Sequence, residues 1–123
     1  MSGRLTTHVL ELSAGRPAQG MRVALFYFSQ GGAAVELQEA VTNSDGRLDG
    51  PLLSGEGMVA GSYELLFYVG DYYRNKGIGA GQATESPMFL EEVPIRFQIS
   101  NVEQHYHVPL LVAPGGYSTY RGS

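Results

Sequence analysis

Val93-Pro94-Ile95-Arg96-Phe97-Gln98-Ile99 decides the fold class, because its apolar residues recur at every second position. Ile95, Phe97 and Ile99 point one way, and Pro94, Arg96 and Gln98 the other, which is the period of a half-buried β-strand. The same period extends outward from it. Residues 63–69 align Tyr63, Leu65, Phe67 and Val69, and residues 35–41 place Val35, Leu37 and Val41 at odd steps. Residues 21–29 carry Val23, Leu25 and Tyr27 on one side and Ala24, Phe26 and Phe28 on the other, as a strand covered on both faces would.

Turn chemistry separates these runs. Gly31-Gly32, Ser44-Asp45-Gly46, Ser54-Gly55-Glu56-Gly57 and Pro114-Gly115-Gly116 fall where a chain would reverse. The 123 residues hold 17 glycines and 6 prolines, with only 16% charged residues, against a helical bundle and for an all-β sandwich or barrel. One domain accounts for the length. Residues 71–77 are the exception to the strand pattern: Asp71 is a candidate N-cap, basic residues occupy the last turn, and Gly77 closes a short helix. Residues 77–87 read as one longer loop. Its Gly77-Ile78-Gly79-Ala80-Gly81 resembles a nucleotide loop only superficially, because no helical pattern with the third glycine at dinucleotide spacing follows it.

Charge and composition exclude several function classes. Eight basic against twelve acidic residues leave no cationic cluster for nucleic acid, and Lys76 is the only lysine. No apolar run approaches the roughly 20 residues needed to span a bilayer. The first residues show no apolar signal-peptide core, so cytoplasmic residence is expected. With no cysteine, disulfides, thiolate nucleophiles and cysteine-based zinc sites are excluded.

Chemistry must then rest on a small set. In His105-Tyr106-His107-Val108-Pro109-Leu110-Leu111-Val112, a strand puts both imidazoles on one face, opposite Tyr106, Val108, Leu110 and Val112. They are either histidines on the wet side of a half-buried strand or titratable groups of a site. His8 lies in another β-prone run, Leu5-Thr6-Thr7-His8-Val9-Leu10. Neutral imidazole can act as a base near pH 7, and three histidines could equally hold a zinc ion with one open position. Arg47, after the Asp45-Gly46 turn, is either a solvent-facing loop arginine or a forked clamp for a planar oxyanion. The chain ends in Tyr117-Ser118-Thr119-Tyr120-Arg121-Gly122-Ser123, five hydroxyls and an arginine that suit a lining better than a frayed tail.

These stretches, with Ala60-Gly61-Ser62-Tyr63-Glu64-Leu65, Gly70-Asp71-Tyr72-Tyr73 and Pro94-Ile95-Arg96-Phe97, resemble the 5-hydroxyisourate hydrolase family, the transthyretin-related proteins. The resemblance runs from Leu5 to Ser123, and the terminal Tyr-Arg-Gly-Ser is its most specific piece, separating enzymes from hormone carriers. It implies a single transthyretin-like domain over residues 1–123, a two-sheet β-sandwich with one short helix. It also implies a homotetramer with active sites at the interface between dimers, in a channel lined by two subunits.

The implied reaction is hydrolysis of 5-hydroxyisourate, a step of urate catabolism, with no cofactor and no metal. By carry-over, His8, Arg47, His107 and Ser123 are the catalytic set. His8, Arg47, Tyr120 and Arg121 would bind substrate, with His105 as the first histidine of the His-Tyr-His pattern. The rival from another class is a non-catalytic small-ligand carrier on the same sandwich. A zinc hydrolase using the three histidines is the other alternative.

Overall fold

A computed structural model describes residues 3–77 and 87–122. Among the described residues nine strands and one α-helix follow in order: β1 (Arg4–Glu11), β2 (Arg16–Pro17), β3 (Arg22–Phe28), β4 (Ala34–Val41), β5 (Leu53–Ser54), β6 (Gly61–Phe67), α1 (Val69–Asn75), β7 (Val93–Ile99), β8 (His105–Ala113) and β9 (Gly116–Thr119). They form two sheets of order β2-β1-β8-β9 and β4-β3-β6-β7, and β5 also pairs with β1. The sandwich with one short helix is the expected architecture. No described helix is long and apolar enough to cross a membrane.

Alternation builds the core from both sheets. Leu5 and Val9 of β1, Tyr106, Val108, Leu110 and Val112 of β8, Val23 and Leu25 of β3, and Tyr63, Leu65 and Phe67 of β6 are all buried in one cluster. Each fully buried aliphatic or aromatic side chain of this kind contributes about 1.5–3 kcal/mol of transfer free energy. The odd-numbered β1 residues and even-numbered β8 residues therefore face inward. Thr6, His8, His105 and His107 are left on the outer face of the first sheet. That face carries the site.

Two sequence expectations shift. Residues 35–41 do not present one continuous apolar face, because β4 is an edge strand with a bulge. Leu25 pairs Gln38 while Phe26 pairs Glu36, so Leu37 is extra and the alternation flips across it. Val35, Leu37 and Val41 are all exposed. The helix begins at Val69, two residues before Asp71, because Val69 and Gly70 are buried and belong to its first turn. Asp71 instead pairs with Arg74 at 2.8 Å. The expected 77–87 loop has residues 78–86 outside the described ones.

A buried carboxylate ties the helix to β1. Glu11 is 1% exposed and accepts from Ser13 Oγ, the Ala14 amide at 2.7 Å and the Tyr73 hydroxyl of α1. Burial alone would raise its pKa, but the bonds from Tyr73, Ser13 and Ala14 outweigh it and hold Glu11 below its ordinary value. Arg74 adds a forked pair to Glu91 at 2.9 and 2.8 Å, fixing the helix against the segment before β7.

Candidate active site

The parallel pairing of β1 with β8 assembles the outer face. Thr6 lies opposite His107, His8 opposite Pro109, and Leu10 opposite Leu111. Thr6 and His8 are two apart on β1, and His105 and His107 are two apart on β8, so all four side chains share one surface. The two β8 rings have centroids 6.4 Å apart.

Arg47 arrives from residues 43–47, a turn organised by Asn43. The Asn43 Oδ1 accepts from the Asp45 and Arg47 amides at 2.8 and 3.2 Å, and its carbonyl accepts from Gly46 at 2.9 Å. Gly46 has φ +76°, and a Cβ there would stand 2.4 Å from the Val9 carbonyl oxygen. Glycine thus lets the turn lie flat on β1, where the Val9 amide donates to the Gly46 carbonyl at 2.8 Å and Arg47 bridges to His8. An arginine that reads as a loop residue in sequence is held beside a histidine.

Docking also fixes His8. Its Nε2 lies 2.9 Å from the Asp45 backbone oxygen. A carbonyl only accepts, so Nε2 carries the proton and Nδ1 of the neutral ring is the free acceptor. Burial first, and then the Arg47 guanidinium, pull the His8 pKa below the ordinary imidazole value; the bond to Asp45 opposes them and loses. His107 is lowered as well, first by burial, then by Arg47, His105 and His8. Both imidazoles are therefore neutral at pH 7 and able to accept a proton.

A cavity of about 370 Å³ opens here, lined by Arg4, Thr6, Arg47, Asp49, His105 and His107 among others. Its volume is at the small end for ligand pockets and suits a compact heterocycle. Among the described residues no three histidine or acidic side chains converge to hold a metal ion, so the zinc reading finds no donor set in this geometry.

The chain end divides. Gly122 reaches the site: its amide donates to the His107 carbonyl at 2.7 Å. Tyr120 and Arg121 line a separate cavity of about 320 Å³ with Arg96, Phe97 and Tyr106. The Arg121 guanidinium stacks 4.2 Å over the Tyr106 ring and donates to the His105 carbonyl at 3.2 Å, bracing the strand behind the imidazoles. Within one chain, His8, Arg47, His105 and His107 come together, and Tyr120 and Arg121 do not join them. Ser123 lies outside the described residues.

Two participants escape the sequence reading. Thr6 sits between the β8 rings, its Oγ1 2.8 Å from His107 Nδ1 and 3.1 Å from His105 Nε2. Its spacing of two from His8 was the available signal, but only the β1–β8 register makes it a neighbour of His107. Asn43, four residues before Arg47, carries no signal beyond a general turn preference.

The chain is similar to known proteins along nearly its whole length. The family model described as the HIUase/Transthyretin family matches residues 5–122. The 5-hydroxyisourate hydrolase of Halalkalibacterium halodurans is 54% identical over 123 residues, covering all of both chains. The structure of Klebsiella pneumoniae 5-hydroxyisourate hydrolase superposes with a TM-score of 0.75 at 35% identity, covering 98% of this chain and 94% of that one. An (S)-allantoin synthase structure superposes with a TM-score of 0.88 at 46% identity, covering 99% of this chain, which spans only 44% of that longer one.

Proposed function

The chain belongs to the HIUase/Transthyretin family, and we propose that within it this protein is a 5-hydroxyisourate hydrolase whose reaction centre is the His8, Arg47 and His107 face of the first sheet. The enzyme hydrolyses 5-hydroxyisourate to 2-oxo-4-hydroxy-4-carboxy-5-ureidoimidazoline. Water adds to a ring carbonyl, the carbon–nitrogen bond of that ring breaks, and the water's proton passes to the departing nitrogen. One observation supports the assignment of residues: the His107 imidazole and the Arg47 guanidinium line one small cavity, and Arg47 is bridged to His8.

Each group has a role in that reaction. A neutral imidazole, His8 through Nδ1 or His107 through its ring nitrogen away from Thr6, takes the proton from water as it attacks. General-base help of this kind is worth about 10²- to 10⁴-fold. Negative charge then develops on the carbonyl oxygen, and Arg47, beside both histidines, is placed to stabilise it and to hold an oxygen-rich substrate. Burial first and the same guanidinium second lower the pKa of both histidines, so clamp and base support each other.

The assembly proposed with this site is a homotetramer in which two copies line one pocket at the interface between dimers. Leu10 and Leu111 are half-buried on the histidine face and Tyr120 is 60% exposed, leaving apolar surface for a second copy to cover. There Tyr120, Arg121 and Ser123 complete the substrate pocket, whereas within one chain Tyr120 and Arg121 line a separate cavity.

The test is the ultraviolet decay of 5-hydroxyisourate freshly made from urate by urate oxidase. Wild type is compared with buffer and with His8→Ala and Arg47→Ala. Decay far above buffer, lost in both variants, is the expected result. Decay no faster than buffer from folded protein would sink the hydrolase reading and leave the ligand carrier on the same fold.

A further inference from the structure

We propose that Thr6 is a positioning residue for His107: its hydroxyl accepts a hydrogen bond from the His107 Nδ1–H and donates one to His105 Nε2, leaving His107 Nε2 as the ring's acceptor. The proposal rests on His107 serving the hydrolase reaction, and goes beyond that reading by naming what sets the ring's proton.

The geometry poses a choice between two arrangements. Thr6 Oγ1 stands 2.8 Å from His107 Nδ1 and 3.1 Å from His105 Nε2, both within hydrogen-bond distance. A hydroxyl has one proton, so it can donate to only one of these nitrogens and must accept from the other. Either His107 donates to Thr6 and Thr6 to His105, or the row runs in reverse and His107 carries its proton on Nε2.

Proton uptake decides between them. A base needs a lone pair on Nε2, which only the first arrangement supplies. Once His107 has taken a proton from water it has an N–H on both nitrogens, and Thr6 must accept from Nδ1. With the hydroxyl already pointing at His105, nothing has to turn. In the reverse row an O–H would face an N–H and the hydroxyl would have to reorient during the reaction, which a preorganised site avoids. The proton taken at Nε2 goes on to the departing nitrogen of the substrate, and the Nδ1 proton stays in its bond to Thr6 throughout.

The arrangement also gives His105 a function without substrate contact. It is exposed, so its Nδ1 can hold a proton in contact with water while Nε2 accepts from Thr6. The Arg121 bond to its carbonyl steadies the same residue from behind.

Thr6→Val removes the hydroxyl while keeping a β-branched side chain suited to a strand, and Thr6→Ser keeps the hydroxyl. Thr6→Val is expected to lower kcat at least about tenfold, part of the roughly 10²- to 10⁴-fold that general-base help is worth, with KM little changed. Thr6→Ser should restore most of it. Nitrogen-15 NMR of the imidazoles should show His107 protonated at Nδ1 in wild type and in Thr6→Ser, and a mixture of tautomers in Thr6→Val. An unchanged kcat in folded Thr6→Val would overturn the proposal. So would a wild-type His107 protonated at Nε2, a readout that needs no variant to fold. His107→Ala, assayed in parallel, separates the two levels. If it is inactive while Thr6→Val is fully active, only the Thr6 role falls; if it is fully active, the assignment of His107 falls first.

Discussion

Replacing Gly122 by alanine would place a methyl carbon 2.6 Å from His107 Cδ2 and 3.3 Å from its Cγ. Non-bonded carbons pack at about 3.5–4.0 Å, so ring and methyl must part by about 1 Å. The tail cannot easily supply this movement, because the Gly122 amide is held at 2.7 Å by the carbonyl of the same histidine. The imidazole is thus the part that moves. A displacement of about 1 Å at a reacting group costs on the order of 10²-fold in rate.

Stability should respond much less. Gly122 is not among the glycines with positive φ, so alanine meets no backbone strain there. Restricting the unfolded chain favours alanine by about 0.4–1 kcal/mol, against an overpacking cost of about 1–3 kcal/mol. The net is about 1–2 kcal/mol, a loss of a few degrees in Tm for a domain of this size. The expected result for Gly122→Ala is therefore a kcat/KM about 100-fold below wild type in the ultraviolet decay assay, with a nearly normal thermal melt. Activity within about threefold of wild type would refute the reasoning, since it would mean that His107 can shift without consequence.

Lowered His8 and His107 pKa values put the acid limb of kcat/KM below about pH 6.5, because protonation that removes the base requires a more acidic solution than for free imidazole. Arg47→Gln removes a cation that disfavours the charged rings, so a pH–rate profile of its residual activity should show that limb moved to higher pH. Tyr73→Phe withdraws a donor from the buried Glu11 carboxylate and should cost about 1–3 kcal/mol in urea unfolding. Glu11 is depressed in the folded state, so its contribution is present above its unfolded pKa and lost as pH falls through the folded value; acid titration of Glu11→Gln should lack that component. Asn43→Ala should raise KM more than it lowers stability, since it loosens the turn that holds Arg47, and steady-state kinetics beside a melt would show the split.

Legibility in the sequence followed the range of the interactions. Strands were legible because their signal is local: Ile95, Phe97 and Ile99 alternate wherever the chain ends up. The β4 face was not, since its alternation is broken by a bulge that exists only against β3. The helix was located but its start misplaced, because Asp71 has the chemistry of a cap while burial of Val69 sets the first turn. His105 and His107 could be put on one face from spacing alone. Arg47 could not be told from a solvent arginine until Gly46 was seen to seat its turn on β1.

The site depends on one long-range pairing more than on any motif. Thr6 and His107 are 101 positions apart, and every contact between them follows from the parallel register of β1 on β8. A slip of that register by one residue would send His8 and Thr6 into the core and bring Leu5, Thr7 and Val9 out, which costs the buried area of Leu5 and Val9. The core therefore specifies the register, and the register sets the imidazole–hydroxyl–imidazole row. Glu11 reinforces this from the far end of β1, where its buried carboxylate accepts from Ser13, Ala14 and Tyr73 only while that residue faces inward. A one-residue shift would strip these bonds and expose the apolar core together. The alignment of the reacting groups is thus protected by packing on the opposite side of the same strands, and substitutions in that hidden face should alter catalysis only when they also lower stability.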